Sequence, residues 1–128
     1  MKRELQVIQT DAAPKAIGPY SQGVDAGGLV FLSGQIPLDP VTGQLVTGGF
    51  AQQANRALAN LGAVLAAAGC ERTAVAKVTV YLTDLDRFAE FNEIYGDFFG
   101  GHRPSRAVVG VAALPRGAQV ELEAVALR

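Results

Sequence analysis

The chain has one cysteine, one histidine, one methionine and no tryptophan. With Cys70 alone, an intrachain disulfide and a cysteine metal cluster are both excluded. With His102 alone, a histidine-rich metal centre within one chain is excluded too. A serine nucleophile at Ser33 lacks support, because His102 is the only histidine base and no elbow-type motif surrounds that serine. An excess of charge of one sign is also missing. The formal net charge is −1 and no basic cluster exceeds Lys2-Arg3, so neither a nucleic-acid surface nor an anionic-membrane binder is expected. The most apolar long run, Ala57 to Cys70, is alanine-rich, contains Asn60 and is too short to span a bilayer. Glu4, Gln6, Gln9 and Asp11 interrupt any apolar signal region at the N-terminus. The expectation is a cytoplasmic protein without a membrane partner.

What is present suits one compact domain, residues 1–128, with a single core: 49% hydrophobic and 18% charged residues mark an ordinary globular chain. Glu4 to Gln9 alternates as a short strand. Asp11 to Pro19 is a loop held by two prolines and a glycine. Tyr20 to Asp25 reads as a strand, and Gly27-Gly28 as a hairpin turn into Leu29–Ser33. Gly34 to Gly49 is irregular. A helix is predicted from Phe50 to Ala68, with Ala51, Ala54, Leu58, Leu61, Leu65 and Ala68 as its apolar stripe and Gln52, Gln53, Asn55, Arg56 and Asn60 off it. Gly69 ends it in a left-handed residue. Val75 to Leu82 is a strand. Asp84 or Asp86 caps a second helix with the stripe Phe88, Phe91, Tyr95 and Phe98/Phe99. Two strands follow, about Ala107 to Ala112 and Ala118 to Leu127.

The order β-β-β-α-β-α-β-β predicts an α+β, two-layer sandwich, a mixed six-stranded sheet with two helices on one face. The other face is not polar: Phe31 opposes Val30 and Leu32, and Val125 and Leu127 oppose Val120 and Leu122. A half-solvated sheet reads hydrophobic-in, polar-out. No sequence remains to cover the second face, so another subunit is the simplest cover and an obligate homo-oligomer is predicted.

Arg106 and Glu121 stand in apolar strand sequence, where charges are rare unless they pair or line a site. A guanidinium fork fits a carboxylate, and a glutamate moves a proton or holds a water. The two flank a strand–turn–strand unit, which allows cross-strand neighbours. On the residues alone, a structural ion pair outweighs a site. Glu123, on the same strand face as Glu121, is an alternative acid or a rim residue of an oligomer contact. Ser33-Gly34 ends a strand where glycine admits a ligand to the backbone and the Ser33 hydroxyl can hydrogen-bond it, although on these residues alone a plain turn after a strand outweighs that reading. Tyr20 either aims its hydroxyl into a cleft or packs. Asn92 is a half-buried amide or a ligand contact. His102 is expected to be solvent-exposed and Cys70 a packing residue.

Taken together, five ordered segments resemble the Rid (YjgF) family of reactive-intermediate deaminases. They are Ile17-Gly18-Pro19-Tyr20-Ser21-Gln22, Ser33-Gly34-Gln35-Ile36-Pro37, Asp84-Leu85 with Phe88, Asn92 and Tyr95, Pro104-Ser105-Arg106, and Val120-Glu121-Leu122-Glu123-Ala124. The resemblance implies a chorismate-mutase-like fold, a homotrimer with clefts between subunits as active sites, and no cofactor or metal. It implies hydrolysis of enamine and imine acids such as 2-aminoacrylate and 2-iminobutanoate to 2-keto acids and ammonia. By the same resemblance Arg106 binds the substrate carboxylate and Glu121 positions or activates water. Tyr20, Ser33 and Asn92 line the pocket, and Gly34 gives close backbone approach. Val108 stands where many members carry cysteine, so any role falls to its backbone. The Gly100–Arg103 loop is shorter than in typical members, with Arg103 where an aromatic residue is often found.

Overall fold

The structure is a computed structural model that describes residues 4–128; the Lys2-Arg3 pair lies outside them. The strands are β1 (Gln6–Ile8), β2 (Gly23–Asp25), β3 (Leu29–Gln35), β4 (Val75–Leu82), β5 (Ser105–Gly110) and β6 (Val120–Leu127). The helices are α1 (Phe50–Ala67) and α2 (Phe88–Phe99). The expected element order is therefore present; β1, β2 and β6 are shorter than expected, β3 runs on through Gly34 to Gln35, and β5 starts and ends two residues early, so that it includes Arg106. Tyr20 and Ser21 lie outside β2 because Tyr20 turns back on its own loop, its N–H donating to the Gly18 carbonyl at 2.9 Å.

One mixed sheet has the strand order β1-β2-β3-β6-β4-β5. Only β4 and β5 run parallel, as the crossover through α2 requires. The last strand, β6, enters between β3 and β4 and runs antiparallel to both. Both helices lie on one face, over Val30, Leu32, Val78, Val80, Leu82, Val120 and Leu122, all buried in one core.

The helical stripe of α1 buries Phe50, Leu58, Leu61, Val64 and Leu65 almost completely, each side chain contributing about 1.5–3 kcal/mol against exposure. Gln53 and Asn60, expected off the stripe, are buried as well. Each is satisfied by backbone distant in sequence. Asn60 Nδ2 donates to the Ile36 and Leu38 carbonyls at 3.1 and 2.9 Å. Gln53 Oε1 accepts from the Gln119 N–H at 2.8 Å. These amides tie the irregular 36–49 segment and the start of β6 to the helix.

The start of α2 also differs from expectation. Asp84 caps a 3-10 turn, Leu85–Arg87, by accepting from the Asp86 N–H at 3.0 Å, and the turn runs into the helix. His102 is half-buried rather than exposed, with Nε2 2.7 Å from the Val75 carbonyl. Gly69, at φ +76°, ends α1 as predicted. Cys70 is buried beyond it, and burial, reinforced by Asp25, pushes its thiol pKa up, which suits an inert packing residue.

The second sheet face is bare in the single chain. Register places Val7, Val24, Phe31 and Val125 in one row across it. Leu29 and Leu127 pair beside that row, and Val7, Leu29, Phe31 and Leu127 are 39–65% exposed. Among the described residues no helix is long and apolar enough to cross a membrane.

Candidate active site

Arg106 and Glu121 are not cross-strand neighbours. β4 lies between their strands, with Val78 opposite Arg106 and Tyr81 opposite Glu121. Residues directly opposite one another share a sheet face. Val78 points into the core beneath the helices, whereas Tyr81 lies on the bare face. Arg106 and Glu121 therefore stand on opposite faces of the sheet, and no ion pair joins them. The structural ion pair favoured by the residues alone is absent because another strand occupies the space between.

On the bare face, Ser33 and Gly34 together oppose the single residue Glu123, since Leu32 pairs with Ala124 and Gln35 with Leu122. Beside this β-bulge lies a cavity of about 380 Å³ lined by Ile17, Tyr20, Ser33, Gly34, Glu121 and Glu123. That volume suits a small ligand. A Cβ at position 34 would collide with the Glu121 carboxylate, so glycine here leaves room for that group. Burial, and then the charge of Glu123, push the Glu121 pKa up from its ordinary value. Glu123 is engaged: its Oε1 accepts from the Tyr81 hydroxyl at 2.7 Å. Glu121 has no hydrogen-bond partner among the described residues. The Ser33 hydroxyl donates to the Ser21 carbonyl at 2.5 Å, which fixes its oxygen as an acceptor toward the cavity. Tyr20 is 46% exposed at the cavity wall, and its hydroxyl accepts from the Ile17 N–H at 3.3 Å.

On the helix face, a second cavity of about 360 Å³ is lined by Asn92, Tyr95, Gly96, Arg103, Pro104 and Arg106. The Arg106 guanidinium lies over the Tyr95 ring at 4.8 Å and the Phe88 ring at 5.6 Å. Aromatic faces hold its position without consuming its donors, and among the described residues no carboxylate or carbonyl pairs with it. Asn92 Oδ1 and the Tyr95 hydroxyl are buried and without partners. Val108 follows on the same face, opposite Val80, and packs against the core. Tyr95 and Arg103 line this cavity although neither was singled out as a site residue. A tyrosine in an apolar helical stripe reads as packing, and its unpartnered hydroxyl shows only in three dimensions.

The chain thus carries two cavities on opposite sheet faces, one beside an unpaired cation and the other beside an acid with a raised pKa. Seven residues singled out from the sequence divide between them. Tyr20, Ser33, Gly34 and Glu121 belong to the first cavity. Arg106 and Asn92 belong to the second, with Val108 beside them.

The family model described as Endoribonuclease L-PSP matches residues 10–128. The chain belongs to this family, the Rid (YjgF) family. A relative within it, the protein DfrA of Myxococcus xanthus, is 55% identical over 95% of each chain. A mouse 2-iminobutanoate/2-iminopropanoate deaminase is 52% identical, covering 96% of this chain and 91% of its own. Among solved structures of Rid proteins, Escherichia coli TdcF with bound serine superposes with a TM-score of 0.91 at 46% identity, covering 96% of this chain and 98% of its own.

Proposed function

We propose that this chain hydrolyses enamine and imine acids such as 2-aminoacrylate and 2-iminobutanoate to 2-keto acids and ammonia, in sites shared between copies of a homotrimer. The observation that carries the proposal is the split of charge: Arg106 lies unpaired on one sheet face and Glu121, with its raised pKa, lies on the other. Arg106 stands on β5, the edge strand of the sheet, so in a ring of copies a neighbour that lays its β5 edge along the bare face would bring its Arg106 to the Glu121 cavity of this chain. The names of the deaminase relatives support the reaction. The serine bound to TdcF supports a ligand with an amino-acid carboxylate.

In this reading Arg106 holds the substrate carboxylate through paired charged hydrogen bonds. Tyr20, Ser33, Gly34 and Asn92 line the pocket, and Val108 contributes only its backbone. The imine carbon is already electrophilic, so positioning water and moving protons suffice. Ionised Glu121 takes a proton from water as the water oxygen bonds to the imine carbon, and passes it to the nitrogen to give a carbinolamine. Glu121 then takes the hydroxyl proton as the carbonyl forms and delivers it to the nitrogen as the C–N bond breaks, and ammonia leaves. No oxidant or reductant enters.

The family description names an endoribonuclease, but a formal net charge of −1 and the lack of a basic run offer a phosphate backbone little attraction. The test is a coupled assay in which threonine dehydratase generates 2-iminobutanoate. The expected result is faster release of ammonia with the wild-type protein than without it, and a loss of about a hundredfold or more with Arg106→Ala at unchanged oligomeric mass. No acceleration by the wild type would leave the alternative, a trimer that binds small molecules without turning them over.

A further inference from the structure

The cavity beneath α2 holds two arginines where one carboxylate needs only one. Arg103 and Arg106 both line it, together with Asn92, Tyr95, Gly96 and Pro104. The lining therefore carries two positive charges and no negative one. The ion pairs among the described residues, Arg87 with Glu90 and Arg128 with Asp25, involve neither arginine. Both guanidiniums lower the Tyr95 pKa against the larger upward effect of burial, which places the two charges within electrostatic reach of one phenol.

Arg103 is held rather than loose. Its Nη1 donates to the Gly100 carbonyl at 2.5 Å and to the His102 carbonyl at 3.0 Å. Gly100 takes φ +63°, a conformation that glycine adopts without strain. His102 anchors the same loop to β4 through the Val75 carbonyl. One nitrogen of the Arg103 fork is thus tied to its own loop, while Nε and Nη2 make no hydrogen bond among the described residues. A guanidinium fixed in this way loses little side-chain entropy when it grips an anion.

We propose that Arg103 is a specificity-determining residue that binds a second substrate carboxylate. This chain would then hydrolyse 2-iminodicarboxylates, the imines of acidic amino acids, as well as imine monocarboxylates. The proposal rests on the reading of Arg106 as the anchor for the first carboxylate. The reaction balances as before: water adds across the C=N bond, the C–N bond breaks, and a 2-oxodicarboxylate and ammonia are released. Arg103 touches the remote carboxylate and none of the reacting atoms, so its contribution falls chiefly on KM.

The experiment compares imines generated in place by amino-acid oxidases, one from aspartate or glutamate and one from alanine. Wild type, Arg103→Gln and Arg103→Lys are each measured for keto-acid release above the spontaneous rate. The expected result is wild-type hydrolysis of both imines, and a drop of at least tenfold in the dicarboxylate-to-monocarboxylate ratio of kcat/KM for Arg103→Gln, equivalent to about 1.4 kcal/mol. Arg103→Lys should fall between, since it keeps the charge and loses the fork. An unchanged ratio, or a wild type that takes only the monocarboxylate, overturns the role of Arg103 while leaving the deaminase reading intact. A wild type that hydrolyses neither imine overturns both. Should Arg103→Gln fail to assemble, wild-type competition decides: stronger inhibition by 2-oxoglutarate than by 2-oxobutanoate supports the second carboxylate site, and equal inhibition removes it.

Discussion

Tyr81 donates its hydroxyl to Glu123 at 2.7 Å, and this bond distinguishes the two glutamates of β6. Glu123 is committed to a neighbouring strand, whereas Glu121 faces the cavity beside Gly34 with a raised pKa. Glu121→Gln should therefore lower deaminase turnover by about two orders of magnitude or more, and Glu123→Gln should lower it much less. The reverse order in kcat would reassign the functional acid to Glu123.

The same pair sets a pH dependence. Glu121 accepts a proton only when ionised, so the acid limb of the rate profile should follow its pKa and lie at higher pH than for an unperturbed glutamate. Burial is the first cause of the upward shift and the Glu123 charge the second. Glu123→Gln removes only the second, so the limb should move to lower pH while burial still holds it above that of an unperturbed glutamate. A limb that stays in place or moves upward in a kcat/KM profile contradicts this coupling.

If Arg106 and Glu121 act from different chains, two dead variants should rescue each other. Arg106→Ala and Glu121→Gln would each be inactive alone. Dissociated and reassembled together in equal amounts, they form some sites with Arg106 from one chain and Glu121 from the next. Random mixing in a ring should restore roughly a quarter of the wild-type activity. Activity that stays at the level of the separate variants, with mixed trimers confirmed by mass, would place both residues' work within one chain.

Much of this arrangement was legible in the sequence, and the failures share a cause. The stripe Ala54, Leu58, Leu61 and Leu65 announced α1, and strand alternation announced the apolar second face, because both are local periodicities. The relation of Arg106 to Glu121 was misread because adjacency in sequence suggested adjacency in the sheet. In fact β4 intervenes, and the parallel β4–β5 pairing leaves its far edge free for β6. Alternation also gives a residue's face only relative to its own strand. Relating faces between strands needs register, which the bulge at Ser33-Gly34 and the shift between Val75 and Lys77 alter. Asn60 and Gln53 looked like surface amides because their backbone partners lie 24 and 66 residues away.

Gly34 offers a test of packing against chemistry. Its absent Cβ leaves the space into which the Glu121 carboxylate extends, and a methyl group there would push that carboxylate aside. The displaced group is the end of a flexible side chain, so Gly34→Ala should keep the fold and lose activity. A shift of about 1 Å in a catalytic group costs on the order of a hundredfold. A variant with an unchanged melting temperature and strongly reduced kcat fits this account, and full activity would show that the position of Glu121 does not limit the rate.

Asn60 provides the complementary case, stability without chemistry. It is fully buried in α1, and its amide donates to two carbonyls of the irregular segment that follows β3. Its Oδ1 also accepts from Arg56 Nε at 3.0 Å. Asn60→Leu would leave the Ile36 and Leu38 carbonyls without this donor in a region closed to water, a loss of about 2–3 kcal/mol. Asn60→Asp should be at least as harmful, because a carboxylate donates to neither carbonyl and repels both. Chemical denaturation of the two variants beside wild type gives the comparison. If Asn60→Asp matches wild type in midpoint, the amide is not what holds the 36–49 segment to the helix.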